Sequence, residues 1–179
     1  MVISQSPFLF DGTLRDNLDI TGEFEDEQLW RALEKVSISE YISSLPDKLD
    51  TRISNSNIIF STGEKQLFCM ARALLSSNDG IVLLDEATSN LDKKTDEVIQ
   101  KTIKESFPDR TVLTIAHRLN TVADYDKVAV LDGGIVTEFD HPYLLLSRDS
   151  VFKEMASVNP VLFEEIYEVA KKAYEMKNK

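Results

Sequence analysis

The 179-residue sequence has one cysteine, no long apolar stretch and a deficit of positive charge. Because Cys69 has no second cysteine to pair with, an internal disulfide and a cysteine-based zinc cluster are both excluded. No segment approaches the roughly 18 consecutive apolar residues of a membrane-spanning helix. The 20 basic side chains against 31 acidic ones give a net charge of -11, which argues against nucleic acid as a partner.

The composition of the chain is nevertheless that of a folded globular protein. Hydrophobic residues make up 42% of the sequence and charged residues 28%. Helical spacing of apolar residues predicts an amphipathic helix from about Glu25. A second helix is predicted to run from Ser61 to about Leu75, because Ser61 and Glu64 have the spacing of a capping box. Both helices should therefore pack an apolar face on a core.

Two short apolar runs predict strands of a parallel sheet. Ile81–Leu84 is a continuous apolar run, typical of a strand buried on both faces, and Thr111–Ile115 is a second candidate for a buried strand. A helix is expected over Lys93–Ser106 between them. The order strand, helix, strand predicts a parallel pair with a right-handed crossover and thus an α/β fold. Further along, Gly133 and Gly134 lie between two apolar segments and predict a hairpin turn.

Two adjacent carboxylates follow the first of these strands. Asp85 and Glu86 come directly after the apolar run in the segment IVLLDEATSNLD. In open α/β sheets this position faces the ligand, and in nucleoside triphosphatases such carboxylates bind Mg²⁺ and polarise the attacking water. The alternative interpretation is that both side chains only cap a strand end.

A histidine follows the second strand. His117 closes the segment TVLTIAHR and could there hydrogen-bond a γ-phosphate and the attacking water. An isolated histidine is more often an ordinary surface or core residue. The presence of the acidic strand end beside it in the predicted sheet favours the functional interpretation.

Six segments occur in the order and spacing that is typical of ATP-binding cassette proteins. They are SQSPFLFDGTLRDNLD, SSLPDKLDTRI, FSTGEKQLFCMARALL, LLDEATSNLD, TVLTIAHRLNTVADYDKVAVLDGG and VTEFDHPYLLL. On these segments the chain resembles the C-terminal two-thirds of an ATP-binding cassette domain. It is most similar to the second nucleotide-binding domain of the multidrug-resistance-associated (subfamily C) exporters.

The resemblance implies a fold and a domain organisation. The fold is a partial α/β cassette of the P-loop nucleoside triphosphatase type, with a parallel sheet core and an α-helical subdomain that carries the signature segment. Residues 1–146 are expected to form the C-terminal portion of a nucleotide-binding domain, with the helical subdomain at about 15–75. Residues 147–179 are expected to form a C-terminal helical tail.

The resemblance also implies residues that act on nucleotide and metal. Gln5 matches the glutamine of the Q-loop, which contacts Mg²⁺ and the γ-phosphate and couples the site to membrane domains. Asp85 matches the Walker B carboxylate that binds nucleotide and Mg²⁺. Glu86 matches the catalytic base and His117 the switch histidine.

A second set of residues is implied to meet another cassette. Ser61, Thr62, Gly63 and Glu64 match the signature loop, which binds the γ-phosphate of ATP held by the opposite cassette. A helix N-terminus offers backbone N–H groups to an anion, which agrees with that role. Ser89–Asp92 matches the D-loop, so Asp92 is expected beside the nucleotide of the cassette pair. Glu64 stands where the family usually has glutamine, which adds a negative charge.

Taken whole, the resemblance implies the nucleotide-binding part of an exporter that couples ATP hydrolysis to transmembrane transport. It implies ATP and Mg²⁺ as ligands. Its expected partners are a second cassette, in a head-to-tail dimer, and the transmembrane domains of the exporter. The expected location is the cytoplasmic face of a membrane.

One motif of the family is missing from the sequence. None of the six glycines is followed by lysine, so the P-loop pattern Gly-x-x-x-x-Gly-Lys-Ser/Thr does not occur. The sequence is expected to be a cassette truncated before the Q-loop and inactive in isolation. The alternative is a non-catalytic truncated cassette that supplies only a signature face or has no independent activity.

Overall fold

The computed structural model describes residues 2–54, 60–75, 80–87, 91–108 and 110–178. The chain folds as two compact units, Met1–Ile115 and Ala116–Lys179. The family-based boundary at residue 146, with the helical subdomain at about 15–75, stays a prediction.

The first unit combines strands and helices. In chain order its elements are β1 (Val2–Ile3), β2 (Gly12–Thr13), α1 (Leu14–Leu18), α2 (Asp26–Lys35), α3 (Ser39–Ser44), a 3-10 helix (Lys48–Asp50), β3 (Arg52–Ile53), α4 (Thr62–Leu75), β4 (Ile81–Asp85), α5 (Lys93–Ser106) and β5 (Thr111–Ile115). The helices predicted from Glu25 and over 61–75 are confirmed as α2 and α4. The apolar spacing of α2 has the expected result, because Leu29 and Leu33 are both buried in the core.

The sheet that positions the site has the order β1-β4-β5, with all three strands parallel. Ile3 lies opposite Leu84, and Asp85 lies opposite Ile115. Helix α5 connects β4 to β5. The predicted parallel pair and the α/β fold class are therefore confirmed, and β1 is the third strand of the sheet, beside β4.

One face of this sheet is covered and the other is not. Val82 and Leu84 are buried in the core that also contains Phe68 of α4 and Ile99 of α5. The alternate side chains Ile81 and Leu113 are 55% and 59% exposed. Burial on both faces was thus a wrong prediction for the described chain. Strand periodicity places successive side chains on opposite faces, and α4 and α5 cover only one of them.

The second unit contains a hairpin and a group of helices. Its elements are a 3-10 helix (Leu119–Val122), β6 (Val128–Asp132), β7 (Ile135–Asp140), α6 (Pro142–Leu146), α7 (Val151–Ser157) and α8 (Pro160–Lys177). The predicted turn is confirmed, since β6 and β7 are antiparallel and Gly133 and Gly134 have φ values of 56° and 82°. Leu145, Phe152 and Ile166 form its core.

None of the helices over the described residues combines the length and the apolarity that crossing a membrane requires.

Candidate functional site

Three predicted site residues lie at the carboxyl edge of the parallel sheet. Gln5 follows β1 by two residues, Asp85 is the last residue of β4, and Glu86 comes next. Because β1 and β4 are parallel and in register, their carboxyl ends meet at the same edge. Gln5 and Asp85 are exposed and Glu86 is half-buried. This edge is where open α/β sheets bind their ligands.

The backbone at Glu86 has a conformation that side chains seldom adopt. Its φ is 49°, in the left-handed region, and its N–H donates to the carbonyl of Ile115 at 3.1 Å. A non-glycine residue in that region costs roughly 1–2 kcal/mol, and such strain concentrates at functional sites. The bond to β5 holds the turn in place and fixes the direction in which Glu86 leaves the sheet. Nothing in the sequence pattern indicated this turn.

His117 follows β5 by two residues and is exposed. It belongs to the second unit, whereas Glu86 belongs to the first. The predicted proximity of the two side chains therefore stays a prediction.

Residues 61–64, which the sequence predicts to be the signature loop, begin α4 with the predicted capping box. The backbone N–H and the hydroxyl of Ser61 both donate to Oε2 of Glu64 at 2.7 Å, and the N–H of Glu64 donates to the Ser61 hydroxyl at 3.3 Å. The carboxylate of Glu64 is thus turned back onto Ser61, beside the positive end of the helix dipole. In the first turn, the N–H groups of Thr62 and Gly63 have no intrahelical acceptor.

Gly63 brings the start of α4 close to the start of α5. A Cβ atom on Gly63 would lie 3.4 Å from Oγ1 of Thr95. Thr95 is in turn bound to Asp92, whose carboxylate accepts from the Thr95 N–H at 3.1 Å and from its hydroxyl at 2.7 Å. Asp92 is the N-cap of α5. Ser89 and Asn90, the first residues of the predicted D-loop, lie outside the described residues.

Thr95 is a contact that the sequence reasoning missed. The signal was present, because a threonine three residues after an aspartate N-cap lies where its N–H reaches the cap. Thr95 thus lies beside Gly63 and is hydrogen-bonded to Asp92, both within the first unit.

Gln66 is a second residue that the sequence reasoning missed. Its side chain is 1% exposed, and its Nε2 donates to the carbonyl of Ser4 at 3.0 Å. Its Oε1 has no hydrogen-bond partner among the described residues. Ser4 directly precedes Gln5, so Gln66 ties helix α4 to the start of the Q-loop segment. An isolated glutamine on the apolar side of α4 was the available signal.

The segment after Gln5 is held by two more side chains of α4. Arg72 donates from Nη1 to the carbonyl of Phe8 at 3.2 Å and from Nε to the carbonyl of Asn17 at 2.6 Å. The thiol of Cys69 lies 3.7 Å from the same Phe8 carbonyl. Burial lowers the pKa of Arg72 and raises the pKa of the Cys69 thiol. Both groups therefore act here as structural anchors.

A groove of about 530 Å³ lies beside this segment. Phe8, Ile20 and Phe24 contribute apolar walls, and Arg72 and Cys69 line it as well. Phe8 is 70% exposed. An exposed aromatic side chain at the rim of an apolar groove is typical of a surface that binds a protein partner.

The donor set at the sheet edge fits a magnesium ion that arrives with a phosphate ligand. Asp85 offers a carboxylate and Gln5 an amide oxygen, and Mg²⁺ prefers such oxygen donors. The described residues contain no cluster of three or more His, Cys, Asp or Glu side chains that could hold a metal ion. Mg²⁺ in nucleotide sites usually takes one or two protein oxygens and completes its shell with water and phosphate.

Comparison with known proteins identifies related sequences. Residues 1–89 match the family described as ABC transporter. ATP-binding cassette sub-family C member 4 of Mus musculus is 53% identical over 155 residues, which is 86% of this chain and 12% of that protein. The protein of the same name from Homo sapiens is 48% identical over 179 residues, 99% of this chain and 13% of that protein.

A third relative comes from an insect. The probable multidrug resistance-associated protein lethal(2)03659 of Drosophila melanogaster is 46% identical over 177 residues, 97% of this chain and 13% of that protein. The chain spans about an eighth of the length of these curated relatives.

Proposed function

Since the chain belongs to the ABC transporter family, we propose that it forms the part of a nucleotide-binding domain that couples ATP hydrolysis to export across a membrane. The observation that carries this proposal is the parallel pairing of β1 and β4, with Gln5, Asp85 and Glu86 at one sheet edge. Because the mouse and human relatives belong to subfamily C, we propose that the domain is a cassette of an exporter. Of the two cassettes of such an exporter, we propose that it corresponds to the second.

Each residue at the edge has a proposed role in hydrolysis. Asp85 and Gln5 would hold Mg²⁺, which neutralises charge on the phosphates of ATP. Glu86 would orient the attacking water and accept its proton. The left-handed turn at Glu86 supports this role, because it fixes where the carboxylate leaves the sheet. We assign His117 to the same reaction, as a hydrogen-bond partner of the γ-phosphate.

The signature loop is proposed to act on a second nucleotide. In a head-to-tail pair of cassettes, the N–H groups of Thr62 and Gly63 would bind the γ-phosphate held by the partner cassette. The Ser61 hydroxyl would join them by turning its one proton from Glu64 to the phosphate. The carboxylate of Glu64 is bound to Ser61, and this supports the proposal despite its charge. Asp92 would lie at the same interface, since Thr95 joins it to the loop.

The groove beside the Q-loop segment is the proposed contact with the transmembrane part of the exporter. Its apolar walls suit a helix end, and the exposed ring of Phe8 is available to it. The carbonyls of Ser4 and Phe8 are both hydrogen-bonded to side chains of α4, and Gln5 lies between them in the chain. A movement of the transmembrane helix in the groove would therefore displace Gln5. This contact would place the chain at the cytoplasmic face of a membrane.

The proposal is tested by replacing the catalytic base. The chain would be built into the human relative in place of the matching 179 residues, so that the P-loop comes from the host protein. Glu86→Gln should leave ATP binding intact and reduce Mg²⁺-dependent phosphate release by about 10²-fold or more, the range for loss of a general base. Glu97→Gln, on the exposed side of α5, is the matched control. Equal turnover in the Glu86 variant and its parent would refute the assignment.

A non-catalytic role is the second candidate, because the sequence has no Gly-x-x-x-x-Gly-Lys motif. In that case the chain would only offer its signature loop to another cassette. Adding the chain to a purified cassette that has its own P-loop distinguishes the two. The measurement is ATP hydrolysis by that cassette. Stimulation of this hydrolysis by the Glu86→Gln chain, but not by a Gly63→Asp chain with added bulk and charge beside Thr95, would favour the non-catalytic role.

A further inference from the structure

His141 is a histidine that the proposed site does not use. It lies between β7 and α6, and its side chain is 7% exposed. Its Nδ1 accepts a hydrogen bond from the N–H of Tyr143 at 3.1 Å and so caps α6. A nitrogen that accepts from an N–H carries no proton, so the neutral ring must hold its proton on Nε2. Nε2 has no hydrogen-bond partner among the described residues.

Helix α8 covers this imidazole. The ring of Tyr174 meets it edge to face, with 5.0 Å between the ring centroids and an angle of 68°. Tyr143 packs on Tyr174 at 5.2 Å and on Tyr167 at 5.6 Å. Helix α8 is therefore held to α6 by an aromatic cluster (His141, Tyr143, Tyr167 and Tyr174) that includes the buried imidazole.

The charged groups around the imidazole are already paired with one another. Asp140 of β7 binds Lys127 and Arg148, each at 3.3 Å, and accepts a hydrogen bond from the backbone N–H of His141. Asp126, before β6, pairs with Lys177 of α8. The two carboxylates would attract an imidazolium, but Lys127 and Lys177 repel it. Burial and Lys177 prevail and lower the pKa of His141.

We propose that His141 is a proton-sensitive latch, which holds α8 in place while the ring is neutral and releases it when the ring is protonated. Protonation adds a hydrogen to Nδ1, which then faces the N–H of Tyr143. Two donors cannot bond to each other, so the α6 cap is lost. The charged ring then needs water, because Nε2 has no hydrogen-bond partner in the part of the chain that the structure describes. Helix α8 is the element that covers the ring, and its release would expose Tyr143, Tyr167 and Tyr174.

The direction of the pH effect follows from the lowered pKa. An unfolded histidine titrates near 6.5, and the folded protein binds this proton less readily. The contribution of His141 to stability is therefore complete above about pH 6.5 and is lost as the pH falls below that value. The latch is closed at neutral pH and opens under acid conditions.

Hydrogen exchange on the full 179-residue chain tests the latch. Protection factors of the α8 amides, corrected for the intrinsic effect of pH, should fall severalfold between pH 7.5 and pH 5. His141→Asn keeps a strong N-cap without a titrating ring, and its α8 protection should change less than twofold. His117→Asn removes the other histidine and should behave like the parent chain.

A second measurement does not depend on any variant. Nitrogen-15 NMR of the parent chain at pH 7.5 should show the His141 proton on Nε2, and the Tyr143 amide should shift as the ring titrates. A proton on Nδ1 at pH 7.5 would overturn the proposal. So would equal loss of α8 protection in the parent and in His141→Asn, or loss that disappears in His117→Asn.

Discussion

The signature loop and the acidic strand end are held by contacts of different range. In the signature loop, the bonds between Ser61 and Glu64 join residues three positions apart. At the strand end, Glu86 binds Ile115, and the Q-loop segment is tied to α4 by the bond from Gln66 to Ser4, 62 positions away. The first part of the site folds with its own helix. The second exists only after the sheet has formed.

This difference in range determines which of the two parts, the signature loop or the acidic strand end, depends on the rest of the protein. A capped helix start needs only its own first turn, so the signature loop should keep its shape in many contexts. The strand end needs every neighbour of β4, and one face of that strand is open in the described chain. Apolar side chains on an open sheet face also favour association. Catalysis should therefore be more sensitive than the signature loop to what surrounds the chain.

The largest expected effect tests that dependence. The 179-residue chain alone should hydrolyse ATP no faster than background, whereas the same chain within the human relative should be at least about 10²-fold faster. The reason is that phosphoryl transfer relies on positioned groups around the phosphates, and the sequence has no P-loop motif. Phosphate release on the purified proteins is the measurement. Robust Mg²⁺-dependent hydrolysis by the chain alone, abolished by Glu86→Gln, would contradict the comparison.

A smaller effect is expected at Asp19, a buried carboxylate with local partners. It accepts from the N–H groups of Gly22 and Phe24 at 2.8 and 2.9 Å. Burial alone would raise its pKa, but these and neighbouring bonds outweigh it and lower the pKa below 3.8. Asp19→Ala should reduce the free energy of unfolding by ~2 kcal/mol at pH 7. Urea unfolding measures it, with Asp47→Ala on the surface as control.

The same residue predicts a pH dependence. Because the folded pKa is below the unfolded one, the stability from Asp19 is complete above about pH 4 and is lost as the pH falls through 3.8 and below. The difference between Asp19→Ala and its parent should therefore shrink between pH 5 and pH 3. A difference that stays constant over that range would show that shape, not charge, makes Asp19 stabilising.

At the long-range contact, Gln66→Met should cost ~1–2 kcal/mol of unfolding free energy. The variant leaves the carbonyl of Ser4 without its donor, although it also removes the orphaned Oε1. The rate of hydrogen exchange at the Ser6 and Phe8 amides should rise together with the loss of stability. Gln100→Met, a half-exposed glutamine on α5, is the control. Unchanged exchange near Ser6 would mean that α4 does not hold the Q-loop segment.

Sequence patterns predicted the parts of the molecule that local chemistry determines. The capping box at Ser61, the amphipathic helix α2 and the turn at Gly133 each follow from residues within one turn of each other. The parallel pairing of β4 and β5 was also predicted, because the strand, helix, strand order leaves few arrangements.

The contacts that sequence reasoning missed are long-range or conformational. Apolar residues along β4 gave no sign of which face would be covered, since α4 and α5 lie elsewhere in the chain. The left-handed φ of Glu86 depends on Ile115, and the role of Gln66 depends on Ser4. Such features arise when separate segments meet, so a pattern within one segment does not contain them.

The smallest effect is expected at the local half of the site. Ser61→Ala removes the hydroxyl but keeps the backbone bond to Glu64, so it should cost ~1 kcal/mol, as for loss of an N-cap. Exchange at Ser6, on the long-range half, should not change. Ser43→Ala, at an exposed position of α3, should cost less than ~0.5 kcal/mol and is the matched control. Urea unfolding of both variants gives the comparison. If Ser61→Ala instead raised exchange at Ser6 as much as Gln66→Met does, the two halves would not be held independently.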